Sequence, residues 1–138
     1  MGMVHANIEL INSDDIAFAR RHIIGEEEIK RMKVTALVDT GSYMLCINEN
    51  IQEQLQLPVL ETRKGQMADG TREYEVVGPV ELKFKNRRTV VNAMVLPGDN
   101  EVLLGAIPME DMDVLIHPQR QELIVNPEHP YFAQMLLK

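Results

Sequence analysis

The residues best placed to do chemistry are Asp39-Thr40-Gly41-Ser42. They follow the apolar run Ala36-Leu37-Val38 and precede a second apolar run interrupted mainly by Tyr43. The pattern reads as strand, short acidic turn, strand. A carboxylate on such a turn is held from both sides, with backbone N–H groups close by. General acid or base catalysis needs that kind of fixed placement. An isolated Asp-x-Gly is equally the mark of an ordinary β-turn with a solvated carboxylate. The chain has one such turn, so a site that needs two carboxylates would take the second from another chain.

The elements around this turn are read from period-2 alternation. Val4, Ala6, Ile8 and Leu10 alternate with polar residues and predict a strand. Asn12-Ser13-Asp14-Asp15 predicts a turn, and Ile16 to Ile24 a further strand. Gly25 and Glu26-Glu27-Glu28 predict a solvated turn, and Met32 to Val38 the strand leading into Asp39. Beyond it, Tyr43–Ile47 predicts a strand and Asn48 the N-cap of a short helix closed by Leu57-Pro58. Asp69-Gly70 is the strongest hairpin signal, because a tight hairpin turn needs positive φ. Its flanks, Lys64–Ala68 and Thr71–Val77, are polar enough to project from the body. Gly78-Pro79 reads as a break. Val80–Phe84 and Thr89–Leu96 follow as strands, then Val102-Leu103-Leu104-Gly105 as an apolar strand ending in glycine. A short helix from Pro108 to about Met112, a hairpin of Val114–Ile116 and Leu123–Val125, and a helix over Tyr131–Leu137 complete the reading. So many short strands with turns between them imply an all-β barrel or sandwich with one or two short helices.

Composition excludes several function classes. At 138 residues the chain reads as a single domain, 1–138. With no Trp and only three Phe and three Tyr, the core rests on Val, Ile, Leu and Met. A net charge of −7 opposes nucleic-acid binding, and the pairs Arg20-Arg21 and Arg87-Arg88 read as solvated edges. One cysteine, Cys46, permits no disulfide within the chain and reads as a small buried residue. No apolar run approaches the roughly 20 residues of a membrane span, and no signal peptide is evident. The expected location is the cytoplasm. His5, His22, His117 and His129 lack ligand-like spacing, so no metal and no cofactor are expected. Ser42 has no base near it in sequence, which opposes a serine hydrolase.

Three features taken in order change the weight of the acidic turn. It sits between two apolar strands, a marked hairpin follows it after about thirty residues, and Leu103-Leu104-Gly105 comes about thirty-five residues later. This order, from about Lys33 to Val125, resembles the retropepsin-like aspartic peptidases, in particular small single-domain bacterial members of that clan. The resemblance implies an all-β, retropepsin-like acid-protease half-barrel with one or two short helices. Its core would span about 30–126, with a flap hairpin at about 64–77. It implies a homodimeric aspartic endopeptidase that binds an extended peptide or protein substrate. Asp39 and its symmetry mate would share one proton and activate a water. Thr40 would hydrogen-bond across the dimer axis, Gly41 would let backbone approach the carboxylates, and Ser42 would hydrogen-bond an outer oxygen of Asp39. Leu103, Leu104 and Gly105 would support the loop from beneath, Gly105 by permitting a tight crossing. Ala68, Asp69, Gly70 and Thr71 would form the flap tip over the substrate. This tip is more polar than the Gly- and Ile-rich flaps of viral members. About thirty residues precede the Asp39 strand and about a dozen follow Val125. Those two departures motivate an alternative: a weakly active or inactive dimer of the same fold, serving as a peptide-binding or scaffold module.

Overall fold

A computed structural model describes residues 3–68 and 70–135. In chain order the elements are β1 (His5–Asn12), α1 (Ser13–Arg20), a 3-10 turn (Glu26–Glu28), β2 (Arg31–Val38), β3 (Leu45–Asn48) and α2 (Glu49–Leu55). They continue with β4 (Val59–Met67), β5 (Gly70–Phe84), β6 (Arg87–Leu96), β7 (Val102–Leu104), α3 (Ala106–Met112), β8 (Val114–His117) and β9 (Glu122–Val125). The main sheet runs β1-β2-β7-β3-β6-β5-β4, and β5 also pairs with β1. That second pairing closes every strand of the sheet but β4 into a barrel. The fold is therefore all-β, as expected from the strand spacing, with three short helices where one or two were expected. β1 precedes the expected core of about 30–126, yet it closes the barrel by pairing with both β2 and β5.

The barrel interior is built by strand alternation. Ala6, Ile8 and Leu10 of β1, Ala36 and Val38 of β2, Leu45 and Ile47 of β3, and Ala93 and Val95 of β6 all point inward. Ile51 and Leu55 of α2 close the core on one side, and Met109 and Met112 of α3 on another. Met44 and Met94 are only half-buried and do not belong to this core.

Four local readings are corrected. Ser13–Arg20 form helix α1 with Asn12 as its N-cap, where a turn and a strand were expected. The Asn12 side chain accepts from the Asp15 N–H at 3.1 Å and donates to the Leu55 carbonyl at 2.8 Å. Asp14 and Asp15 in the first turn and Arg20 in the last complement the helix dipole. The cap and this tertiary bond outweigh the strand propensity of Ile16 and Phe18. Gly78-Pro79 does not end a strand. The peptide bond is cis, and β5 continues through a shift of register against β6. Arg87, read as a solvated edge, is buried, with one guanidinium nitrogen donating to the His129 carbonyl. The expected helix at Tyr131–Leu137 does not form over 131–135, and its last two residues lie outside the described chain.

Asn12 carries a measurable consequence. Asn12→Ala removes a helix cap and leaves a buried carbonyl short of a donor, a combined loss of about 2 kcal/mol. Asn48 caps α2 through the Ile51 N–H at 2.9 Å but has no comparable buried partner, its amide donating to the Asn100 carbonyl in an exposed bond. Asn48→Ala should cost nearer 1 kcal/mol. Urea unfolding of both variants checks the ranking.

The last described segment is tied to the C-terminal end of α3. Asp113 accepts from the Gln134 N–H at 3.0 Å, from the Asn126 amide at 3.1 Å, and lies 2.6 Å from the His129 ring nitrogen. Desolvation pushes the Asp113 carboxyl up, but these partners together outweigh it and hold its pKa below the ordinary carboxylate value. A carboxylate depressed on folding stabilises the fold above its unfolded pKa and loses that contribution as pH falls through its folded one. Asp113→Asn should therefore flatten the stability loss below about pH 4. Thermal unfolding across pH 2–7, an ordinary range for such titrations, checks it.

Candidate active site

The acidic turn sits where β2 leaves the barrel, and three sets of backbone bonds fix it. First, β2 and β7 run parallel, with Val38 opposite Leu104. The ladder extends one residue further, as the Asp39 N–H donates to the Leu104 carbonyl at 3.0 Å. Second, the turn closes on itself. The Gly41 N–H donates to Asp39 Oδ1 at 3.0 Å, and the Ser42 N–H to the Asp39 carbonyl at 3.1 Å. Third, the start of α3 grips the far side. The Ala106 and Ile107 N–H groups donate to the carbonyls of Ser42 and Tyr43 at 2.7 and 3.0 Å. These are two of the amides that a helix start leaves unpaired.

Gly105 makes the third contact possible. A Cβ there would lie 2.4 Å from the Met44 carbonyl oxygen, 2.6 Å from that of Ser42 and 2.7 Å from the Tyr43 carbonyl carbon. All three are backbone atoms, so no side chain could move aside. The glycine is required by close approach, since its φ of −90° is open to any residue.

Asp39 is half-buried, and Thr40 and Gly41 beside it are exposed. A cleft of about 520 Å³ opens next to them, lined by Leu37, Val38, Asp39, Thr40, Ile116 and Pro118 among others. Asp39 is its one carboxylate among the described residues.

The structure thus brings Asp39, Thr40, Gly41 and Ser42 together with Leu103, Leu104 and Gly105. Leu104 is fully buried beneath the turn, while Leu103 is half-buried on the opposite face of β7. The Ser42 hydroxyl differs from expectation. It donates to the Met44 carbonyl at 3.4 Å and lies 3.8 Å from Cys46 Sγ, while Asp39 Oδ1 accepts from the Gly41 N–H. Cys46 is buried, and burial pushes its thiol pKa up, which disfavours the thiolate needed of a nucleophile.

The hairpin of β4 and β5 stands out from the barrel, with Val59 to Lys64 exposed. Gly70 is already in the ladder opposite Met67, so it is a strand residue rather than a turn residue. Ala68, Gly70 and Thr71 are exposed at its end, and Asp69 lies outside the described residues. Sequence reasoning missed the link between this hairpin and the acidic loop, an Arg63 nitrogen 4.0 Å from Met44 Sδ. Alternation shows which face Arg63 occupies, but nothing in the sequence says that its side chain reaches Met44.

The described residues contain no cluster of His, Cys, Asp and Glu fit to hold a metal ion. His117 ends β8 and accepts from the Arg120 N–H at 3.1 Å, a turn role. No described helix is long and apolar enough to cross a membrane. No curated protein matches the chain significantly. A family model described as aspartyl protease matches residues 26–123, more than half of the chain. That span takes in β2 with its acidic turn, the hairpin, β7 and α3. The fold, the turn held by β7 and α3, and this match agree: the chain belongs to the retropepsin-like aspartyl protease family.

Proposed function

We propose that the protein is a homodimeric aspartic endopeptidase whose site forms where two copies of Asp39 meet on a two-fold axis. The observation that carries this reading is the solitary carboxylate. Asp39 is rigidly held at the edge of an open cleft, beside exposed Thr40 and Gly41, with no second acid in that cleft among the described residues. Peptide hydrolysis by carboxylates needs one ionised partner to take a proton from water and one neutral partner to protonate the carbonyl oxygen. Two carboxyls in contact supply both forms, because they cannot both ionise cheaply. The pair then titrates as a unit. A two-fold axis provides the second copy through a self-complementary contact.

On this reading the water attacks the scissile carbonyl, its proton passes to the ionised carboxylate, and the neutral partner's proton goes to the carbonyl oxygen. The tetrahedral intermediate collapses as the newly protonated carboxyl gives its proton to the leaving amide nitrogen and the other carboxylate takes one back from a hydroxyl of the intermediate. Thr40, exposed beside the acid, would lock the two turns together across the axis. The β4–β5 hairpin would close over an extended substrate and exclude water.

Digestion of a mixed peptide library across the acid to neutral range tests the proposal. The expected result is cleavage blocked by a statine-type inhibitor, which mimics the tetrahedral intermediate. Peptide binding without inhibitor-sensitive product at any pH would instead favour the scaffold reading, which the exposed polar hairpin supports.

A further inference from the structure

The strand registers lay one continuous row of residues across the sheet. Leu37 is opposite Leu103, Leu103 opposite Cys46, Cys46 opposite Met94, Met94 opposite Val76, and Val76 opposite Glu61. Directly opposed residues point to the same face. The core cluster holds their neighbours Ala36, Leu104, Leu45, Ala93 and Val77, so the row lies on the outside of the barrel. Leu37, Leu103 and Met94 are half-buried while Cys46 and Val76 are buried, so the apolar strip is partly open at the first three of these residues and covered at the other two.

Alternation along β4 adds Arg63 to this face, and Asp39 and Met44 flank it just outside β2 and β3. Asp39 follows Leu37 by two positions, Met44 precedes Cys46 by two, and Arg63 follows Glu61 by two. Met44 leads into β3 and Arg63 lies on β4, with β6 and β5 between them in the sheet. In a flat sheet three strand spacings would separate them by about 14 Å. Their extended side chains span that gap, with Arg63 Nη1 4.0 Å from Met44 Sδ. The two side chains therefore reach toward each other across the strip and bound a track that begins at the acidic turn.

The far wall of this track is charged. Arg63 binds Glu61 through Nε at 3.0 Å and Nη2 at 3.4 Å, and both side chains are about half exposed. Nη1 points at the Met44 sulfur, a weak acceptor. An exposed pair of this kind is held loosely, so an incoming carboxylate can share or replace Glu61. Of the two charges, Arg63 is the one that touches the segment after the acidic turn.

We propose that this track binds the substrate alongside Asp39, and that Arg63 makes the enzyme select peptides with an acidic side chain within a few residues of the scissile bond. The selection rests on the proteolytic reading for its use, but the track binds peptide whether or not cleavage follows. A matched set of peptides carrying Glu, Gln or Lys at each position around one apolar pair provides the test. With the wild-type protein, kcat/KM for Glu over Lys should reach about five-fold at one position, in the range of a partly exposed charge pair. Arg63→Gln should level that ratio and Arg63→Glu should invert it. Fluorescence anisotropy with Asp39→Asn protein measures the same preference without hydrolysis, and Arg63→Glu added to it should invert the order there too. A Glu/Lys ratio indifferent to both Arg63 substitutions, in cleavage and in binding, would overturn the proposal. Preference in the binding assay with no cleavage by wild type would leave the track standing and remove the catalytic reading instead.

Discussion

Asp39→Asn should abolish peptide hydrolysis, with a loss of at least about 10³-fold in kcat/KM, while the protein folds and dimerises as before. The asymmetry follows from what the side chain does in the fold. Its structural bond is one accepted hydrogen bond, from the Gly41 N–H to Oδ1. An asparagine oxygen accepts that bond equally well. The turn is otherwise held by backbone bonds to Leu104, Ser42 and Tyr43, which the substitution does not touch. What asparagine lacks is the exchangeable proton. It can neither take a proton from water nor give one to the carbonyl oxygen. Circular dichroism and sedimentation should match wild type, and product formation should be lost. Residual hydrolysis near the wild-type rate would remove Asp39 from the chemistry.

The second large effect is on stability. Gly105→Ala should destabilise the protein by about 3 kcal/mol or more, a severe loss against typical domain stabilities. The new methyl meets three backbone atoms at 2.4 to 2.7 Å, so β7 and the Ser42–Met44 segment must move apart. That movement breaks the bonds from Ala106 and Ile107 that brace the acidic turn. Any fraction that stays folded should be inactive as well, because Asp39 loses its placement. Urea unfolding together with an activity assay separates the two effects. A Gly105→Ala protein of wild-type stability and rate would contradict the close crossing. Gly98 offers a contrast, since a Cβ there meets nothing within 4 Å. Its φ of +68° makes Gly98→Ala cost only about 1 kcal/mol, from backbone strain alone.

These two residues also show what the sequence makes legible. The strands flanking Asp39, the capping Asn48, and the apolar end of β7 are short-range patterns, and each forms as expected. The join between Asp39 and Leu104 is long-range, and only the resemblance to a known family pointed to it. Failures arose where tertiary contacts decide. Ile16 to Ile24 has strand-like composition, but Asn12 finds a partner in Leu55, more than forty residues away, and a helix starts instead. Arg87 looked like half of a solvated pair, yet the chain folds His129 over it. Ser42 follows the expected motif, yet its hydroxyl donates to the Met44 carbonyl, and Asp39 Oδ1 accepts from the Gly41 N–H. The track between Leu37 and Arg63 was hidden for the same reason. Each strand reveals its own two faces, but the order β2-β7-β3-β6-β5 is not written in any one of them.

The central claim is that one active site needs an Asp39 from each of two chains, and a subunit-mixing experiment tests it most directly. Wild-type and Asp39→Asn chains are unfolded together, refolded at varied ratios and fixed total concentration, and assayed on one peptide. If both carboxylates are required, activity follows the square of the wild-type fraction and falls to about a quarter at equal mixing, since two-fold dimers assort at random. A straight line through about one half at that point, as expected when each chain carries its own complete site, would contradict it.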